Sequence, residues 1–295
     1  MDAAQVLEHL PIHEWHGPFT PELCQRAVRA LEEGRVLVLP QLPFHTEPDE
    51  APFLSADAAA GERKNISLDP ATGRIGNTSL PPDVTARLAR MIDRFGRSAE
   101  QLLHDLLPGY APTLERARTS FRPVEIEGRP TSPRHDDRLL HVDSFPARPM
   151  LGRRILRLFS NIAPDGAVRA WRVGEPFPEY ARRFLPRAGT PLPASAWLLE
   201  RLGITKGRRS AYDHIMLRLH DAGKLDAAYQ SAAPKAEVTF PPGATWLCFT
   251  DQVLHAALSG HCALEQTFHL PVAAMADPAR APLSVLEQLA GRKLA

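Results

Sequence analysis

The chain has 295 residues, of which 44% are apolar and 23% are charged, and its formal net charge is +1. This composition is typical of a globular protein with a sizeable core, and the near-neutral balance argues against a nucleic-acid-binding protein. The cysteines, Cys24, Cys248 and Cys262, are odd in number and lack C-x-x-C spacing, which argues against a disulfide framework and against a structural zinc site.

The N-terminal part of the chain is predicted to be a mainly helical scaffold. It begins without the basic and then apolar order of a signal peptide, and we expect a cytoplasmic protein without a membrane span. Residues 21–34 combine an apolar stripe with a final glycine, which predicts an amphipathic helix, and residues 35–39 predict a strand. A long helix is predicted over residues 83–107, capped by Asp83 and ended by Pro108.

The pattern changes near Thr119 to short apolar segments separated by turn residues, which indicates β structure. Residues 155–162 and 245–249 give the clearest strands, and a helical insertion is predicted over residues 194–230. The predicted fold class is α+β, with a β-sandwich or barrel core preceded by helices. The prediction is a single domain with three parts: a helical scaffold (1–118), a β core with the insertion (119–275) and a helical tail (276–295).

Two residues on a predicted strand are candidate metal ligands. His141 and Asp143 lie two positions apart in LLHVDSF, and strand geometry turns such side chains to the same face. A later histidine, His255, follows an apolar strand and precedes two small residues. Two histidines and one carboxylate form the facial triad of non-haem iron(II) oxygenases, which leaves coordination positions open for substrates and oxygen. This pattern favours an oxygenase with these three residues as metal ligands.

The H-x-D spacing alone leaves alternatives open. A second copy lies at residues 135–137 among charged residues, and it is interpreted as an exposed turn. His141 and Asp143 could instead form a buried hydrogen-bonded pair without metal, and His255 alone could be a core histidine. A β-barrel that binds metal and sugar without turnover is the alternative from outside the enzymes.

Residues 148–187 are strongly cationic, with nine arginines against three acidic residues. One interpretation is the solvated face of an arginine-rich protein. The other is a surface that binds carboxylates or phosphates, because the planar guanidinium matches those anions.

Several sequence blocks together resemble the Kdo 3-hydroxylase family: LLHVDSFPARP, GRRILRLFSNIAPDG, AWRVGEPF, YDHIMLRLHD, FPPGATWLCFTDQVLHAALSG and LEQTFHLPV. The resemblance covers residues 20–275. It implies an iron(II)/2-oxoglutarate dioxygenase of Gram-negative bacteria that acts on Kdo, 3-deoxy-D-manno-oct-2-ulosonic acid, in the inner core of lipopolysaccharide. Hydroxylation at position 3 would give Ko, with release of succinate and carbon dioxide. The resemblance further implies a double-stranded β-helix, or jelly roll, and matches the iron ligands to His141, Asp143 and His255.

The resemblance also raises the question of what binds the distal carboxylate of 2-oxoglutarate. Many relatives with this fold use an arginine after the second histidine, but the corresponding residues 265–269 contain no arginine or lysine. Arg157 is the first candidate, because a guanidinium on an apolar strand needs a buried anion to offset its desolvation. Arg154 is the second candidate. Gln266 and Asn161, which shares the strand face of Arg157, complete the predicted co-substrate site.

The implied substrate carries a carboxylate on Kdo and phosphates on lipid A. The candidate substrate contacts are therefore cationic or aromatic: Arg148, Arg153, Arg169, Trp171 and Arg172. Because this substrate lies in a bilayer, the resemblance implies an enzyme that docks at the cytoplasmic face of the inner membrane, with basic residues near anionic head groups. The same oxygenase chemistry on another anionic sugar or small molecule is the enzymatic alternative.

Overall fold

Two facing β-sheets form the centre of the molecule. The computed structural model describes residues 1–192 and 194–295. In chain order its helices and strands are α1 (Ala3–Val6), β1 (Leu7–His9), α2 (Pro21–Glu32), β2 (Val36–Leu39), β3 (Ile66–Leu68), β4 (Ile75–Gly76), α3 (Pro82–Leu106), β5 (Glu115–Arg122), β6 (Arg154–Asn161), β7 (Arg169–Gly174), α4 (Phe177–Phe184), α5 (Ser195–Arg201), α6 (Ala211–Leu225), α7 (Ala227–Ala232), β8 (Lys235–Phe240), β9 (Thr245–Phe249), β10 (His255–Ser259), β11 (Ala263–Leu270) and α8 (Pro282–Ala290).

The strand order is that of a jelly roll. The large sheet has the order β1-β2-β9-β6-β11-β5-β3-β4, and the small sheet has the order β10-β7-β8. A backbone bridge between His141 and His255 adds the segment around His141 to the edge of the small sheet. Along the chain the core strands pass back and forth between the two sheets, as a double-stranded β-helix requires. The predicted α+β class with a jelly-roll core is confirmed.

The scaffold helices cover the outer face of the large sheet. Apolar residues of α2 and α3 pack in one core with Leu156, Leu158, Leu264 and Phe268 of strands β6 and β11. Successive residues of a strand point to opposite faces. Because the even-numbered positions of β6 and β11 face the helices, the odd-numbered positions, Arg157 among them, face the space between the sheets.

Aromatic side chains fill one end of the space between the sheets. Phe240 and Trp246 stack with ring centroids 4.1 Å apart, and Phe159 lies over Trp246 at 5.4 Å. The edge of the Trp171 ring meets this stack, 5.1 Å from Phe159, and Trp171 is buried. This rigid cluster supports the strand that carries His255.

The N-terminal part of the chain differs from its prediction in two ways. The proposed cap at Asp83 is wrong: Pro81 is the N-cap, and Asp83 lies in the first turn, where its charge favours the helix dipole. Besides β2, which the sequence predicts, the short strands β1, β3 and β4 also join the large sheet, and strands of two or three residues are too short to show periodicity. The proposed boundary at residue 118 falls inside β5.

The predicted helical insertion corresponds to α5, α6 and α7, which follow the short helix α4. Among the described residues, no helix combines the length and the apolar character needed to cross a membrane.

Candidate metal centre

His141, Asp143 and His255 converge at one end of the jelly roll. Their candidate ligand atoms all lie within 4.8 Å of one another. Reciprocal backbone hydrogen bonds pair His141 with His255, at 3.1 and 2.9 Å, and bring the two ring centroids to 4.6 Å. The Asp143 N–H donates to the Thr250 carbonyl at 2.7 Å, which holds the carboxylate beside the rings. The structure therefore brings together the three residues that the sequence named as metal ligands.

The two imidazoles are oriented for metal binding. The Nδ1 of His141 lies 2.7 Å from the Leu139 carbonyl, and the Nδ1 of His255 lies 2.9 Å from the Val253 carbonyl. A carbonyl accepts only, so each Nδ1 carries the proton and each Nε2 keeps its lone pair. Burial lowers the pKa of both histidines, and both are neutral, as metal ligands must be.

The third ligand carries a charge in a buried place. Burial raises the pKa of Asp143, but favourable interactions, of which that with the Arg157 guanidinium is the largest, together lower it by more, so the pKa lies well below its usual range. The Asp143 Oδ2 atom is buried without a hydrogen-bond partner, although Arg157 Nη1 lies 3.1 Å away. Two neutral imidazoles and one ionised carboxylate with a free oxygen fit iron(II) with open positions.

The second H-x-D copy does not form a similar site. His135 lies in an exposed 3₁₀ turn, where its Nδ1 is 2.9 Å from Ser132 Oγ. Asp137 is half-buried rather than exposed, because it forms ion pairs with Lys64 at 2.6 Å and Arg129 at 3.2 Å. In the described part of the chain, the group around His141 is the only cluster of histidine, cysteine and acidic residues with metal-binding geometry.

A cavity of about 420 Å³ lies beside the candidate ligands. Arg157, which contacts Asp143, forms part of its wall, together with Glu265 and residues from β5, β11 and the loop after Asp143. The lining is rich in cations, and it includes Arg118, Arg122, Arg148, Arg157 and Lys206. An anionic molecule fits such a lining.

Arginines with low solvent exposure lie around a single glutamate next to this cavity. Arg157 Nη1 lies 3.6 Å from Glu265 Oε1, and Arg122 Nη2 lies 2.6 Å from Glu265 Oε2. Arg169 is also buried: its Nη1 donates to the Gly260 carbonyl at 3.2 Å, and its Nε has no partner. Burial lowers the pKa of Arg169 to about 10. The cluster has unused donor capacity for one more anion.

The sequence did not single out Glu265, which lies ten positions after His255, within the segment where many relatives with this fold carry an arginine. The feature that marks Glu265 is a charged side chain inside the strand β11, whose eight residues are all buried. His269, on the same face of β11, was missed as well. Burial and the charges of Arg153 and Arg148 lower the pKa of His269 to about 4, and it lines the cavity as a neutral ring.

Two predicted co-substrate contacts point away from this cavity. Gln266 faces α3, and its Oε1 accepts a hydrogen bond from Thr119 Oγ1 at 2.6 Å. Asn161 closes a turn by donating to the Ala167 and Phe240 carbonyls, each at 2.9 Å. Both side chains stabilise the fold around the site.

The predicted substrate contacts are scattered. Only Arg148 among them lines the cavity. Arg153 pairs with Glu115 at 2.6 Å, Arg172 pairs with Glu237 at 2.8 Å on the outside of the small sheet, and Arg169 is buried as described. Trp171 stacks on His255, with centroids 5.3 Å apart, and has no open face for a sugar ring.

Arg154, the second candidate for the co-substrate, lies on the opposite face of β6 from Arg157. Its Nε donates to Asp251 Oδ2 at 2.8 Å and its guanidinium lies 3.9 Å from the centroid of Phe249. Because Arg154 is fully buried, its loss would leave Asp251 as an unpaired buried charge. We expect Arg154→Met to lower the free energy of unfolding by about 3–5 kcal/mol in urea denaturation. Unchanged stability combined with a raised 2-oxoglutarate requirement would return Arg154 to the co-substrate site.

The sequence profile of the 3-deoxy-D-manno-oct-2-ulosonic acid (Kdo) hydroxylase family matches residues 14–293. A crystal structure of the Kdo hydroxylase KdoO with alpha-ketoglutarate and Fe(III) is 45% identical, has a TM-score of 0.95 and covers 99% of this chain and 98% of that chain. KdoO is described as a non-heme Fe(II) alpha-ketoglutarate dependent dioxygenase. Its complex with cobalt(II) matches at 46% identity with a TM-score of 0.95, and its complex with succinate and Fe(III) matches at 44% identity with a TM-score of 0.94. Each of these two matches covers 98% of this chain and 97% of that chain. No curated protein sequence matches significantly.

Proposed function

The chain belongs to the Kdo hydroxylase family and is an Fe(II)- and 2-oxoglutarate-dependent dioxygenase, and we propose that it hydroxylates position 3 of Kdo attached to lipid A. The convergence of His141, Asp143 and His255 beside a cationic cavity carries the proposal. Ko would be the product. Family membership removes the alternative of a sugar-binding barrel without turnover.

We assign the metal to the three converging side chains. When bound, iron(II) supplies the activation of oxygen, coupled to the decarboxylation of 2-oxoglutarate to succinate. The protein's part is orientation: the Leu139 and Val253 carbonyls fix the imidazoles, and the packed Trp171 ring holds His255 in place. Such support would hold the three ligand atoms in place for the metal and its co-substrate.

The distal carboxylate of 2-oxoglutarate is assigned to Arg157. This arginine faces the space between the sheets, is half-buried, and lies 3.1 Å from Asp143. Arg157 also lines the cavity, so it would meet the free end of an anion held at the three candidate ligands. Arg122 and Arg169 extend the same cationic cluster, and Glu265 prevents an excess of buried positive charge.

The sugar acid is assigned to the outer part of the cavity. Arg118, Arg148 and Lys206 line this part, and they are suited to the carboxylate of Kdo and to nearby phosphates. Phe145 lies beside them and offers an apolar face to the ring.

We further propose that the enzyme works as a peripheral protein at the cytoplasmic face of the inner membrane. The support is chemical: the acyl chains of the lipid-linked substrate stay in the bilayer, so the enzyme must approach the sugar at the membrane surface. Basic residues at the cavity are attracted to anionic head groups there.

Mass spectrometry of the product tests the substrate. The enzyme is incubated with Kdo-lipid A, iron(II), 2-oxoglutarate and oxygen, and Asp143→Ala serves as the matched inactive control. One added oxygen on Kdo, at position 3 after fragmentation, is the expected result. Succinate formation without any change in Kdo would support the oxygenase activity but contradict the proposed substrate, which would then be another anionic sugar or small molecule.

A further inference from the structure

An exposed apolar surface lies next to the cavity and has no role in the mechanism above. Ten large apolar side chains are exposed in the described residues, and five of them lie between positions 192 and 204. We call this group the α5 surface, because most of it lies on α5 or directly after it: Leu192, Trp197, Leu198, Leu202 and Ile204, which are 49–78% exposed. Exposed apolar patches of this kind mark interaction sites.

The α5 surface is joined to the rim of the active-site cavity. The backbone N–H of Lys206, two residues after Ile204, donates to the Ala147 carbonyl at 2.9 Å. The Arg209 guanidinium donates to the carbonyl of Pro146. Ala147, Pro146 and Lys206 all line the cavity. Whatever covers the α5 surface therefore also lies at the mouth of the active site.

The charges around the α5 surface identify the chemistry of its partner. Residues 200–209 hold four basic side chains, Arg201, Lys206, Arg208 and Arg209, against the single acidic residue Glu200. The guanidinium of Arg201 lies 5.9 Å from the centroid of the Trp197 ring. Apolar side chains flanked by cations, with a tryptophan among them, are typical of segments that lie in the interface of an anionic bilayer.

We propose that the α5 surface inserts into the lipid bilayer and holds the cavity mouth at the head-group level. The inference rests on the proposed function, because the reacting sugar is attached to a lipid that stays in the membrane. The apolar side chains enter the acyl boundary, while Arg201, Lys206 and Arg208 meet phosphates. This arrangement presents the sugar to the cavity without extraction of the lipid.

The test measures binding of the full-length enzyme to vesicles of phosphatidylethanolamine and phosphatidylglycerol that contain no sugar. The α5 variant replaces Trp197, Leu198 and Leu202 with serine. The matched control replaces Leu225 and Leu289 with serine, because these two apolar residues are exposed but lie outside the α5 surface. We expect the dissociation constant to rise at least about tenfold in the α5 variant, since it loses most of the buried apolar area, and to stay unchanged in the control. The Trp197 emission should also shift to the blue on vesicle binding.

Three outcomes overturn the proposal. The first is equal vesicle binding by the wild type and the α5 variant. The second is wild-type binding that depends only on the basic residues and vanishes in moderate salt, which indicates adsorption without insertion. The third is no vesicle binding, together with a wild-type dimer that the α5 substitutions convert to a monomer, which assigns the surface to a second copy of the chain.

Activity separates a failure of this inference from a failure of the proposed function. Kdo-lipid A in vesicles is compared with its deacylated, water-soluble form. We expect the α5 substitutions to lower kcat/KM at least about tenfold for the lipid form and to leave the soluble form unaffected, because the side chains lie outside the cavity. If neither form of the substrate gains oxygen, but the α5 substitutions still weaken vesicle binding, the proposed substrate is wrong and the proposed membrane contact of the α5 surface is supported.

Discussion

Asp143→Ala is expected to abolish hydroxylation of Kdo while the protein remains folded. Loss of a residue that merely orients a metal ligand typically costs 10–100-fold in metal affinity or activity, so loss of a ligand should cost more than about 100-fold. His141→Ala and His255→Ala should have effects of the same size, because each removes one of three ligands that lie within 4.8 Å. Product formation by mass spectrometry and iron binding by calorimetry measure the two consequences separately.

The matched control for this series is His135→Ala. His135 belongs to the second H-x-D copy, but it is exposed and is not part of the cluster formed by His141, Asp143 and His255. We expect near wild-type turnover from this variant. An anaerobic sample with iron(II) and 2-oxoglutarate should show a weak visible charge-transfer band in the wild type and in His135→Ala, and no band in Asp143→Ala. The reverse pattern would move the metal to residues 135–137.

The metal centre could be predicted because it depends on local geometry. The predicted strand at this position is wrong, because His141 forms only a single backbone bridge, to His255, and Asp143 lies in irregular backbone. The two-residue spacing nevertheless lets both side chains approach the same point, since the Asp143 N–H is held by the Thr250 carbonyl. The apolar run before His255 identified the strand β9, which leads the chain back to the same end of the barrel. The apolar character of the flanking residues Leu140 and Val142 distinguished this H-x-D copy from the one at residues 135–137, and both flanking side chains are buried in the structure.

The surroundings of the metal centre could be predicted less well, because they depend on long-range packing. Arg154 and Arg157 differ only in the strand face that they occupy, and the position of α2 and α3 decides which face meets the cavity. Trp171 looks like a platform for a sugar until the Phe159 and Trp246 rings pack around it. Lys206 reaches the cavity only because its segment folds back on residue 147.

The arginine-rich segment 148–187 illustrates the same limit. Its positive charge suggested a single anion-binding surface, but the strands distribute its side chains over both sheets and both faces. Arg157 and Arg169 point inward, Arg172 points outward to Glu237, and Arg154 is used in the core. Charge in the sequence predicts the class of ligand, whereas strand register decides which arginines can reach it.

Arg157→Ala is expected to raise the KM for 2-oxoglutarate by about 10- to 150-fold. Hydrogen bonds to charged groups contribute about 1.5–3 kcal/mol, and each 1.4 kcal/mol is a factor of ten in affinity. The KM for the co-substrate should be the constant that changes, because Arg157 lies between Asp143 and Glu265 at the wall of the cavity. Arg157→Lys should give an intermediate KM, because lysine retains the charge but loses the planar pair of donors. Initial rates at varied 2-oxoglutarate, with iron and sugar saturating, provide the measurement.

Two controls decide whether Arg157 binds the co-substrate or only supports a metal ligand. Because Arg157 also stabilises the Asp143 charge, iron affinity is measured in parallel. Arg153→Ala, which removes an arginine paired with the exposed Glu115, serves as the matched variant and should leave the KM for 2-oxoglutarate unchanged. If Arg157→Ala weakens iron binding but not the co-substrate, Arg157 is a positioning residue. The distal carboxylate then belongs to Arg122 or Arg169, the other arginines of the same cluster, and the buried Arg169, whose Nε is unpartnered, is the next substitution to test.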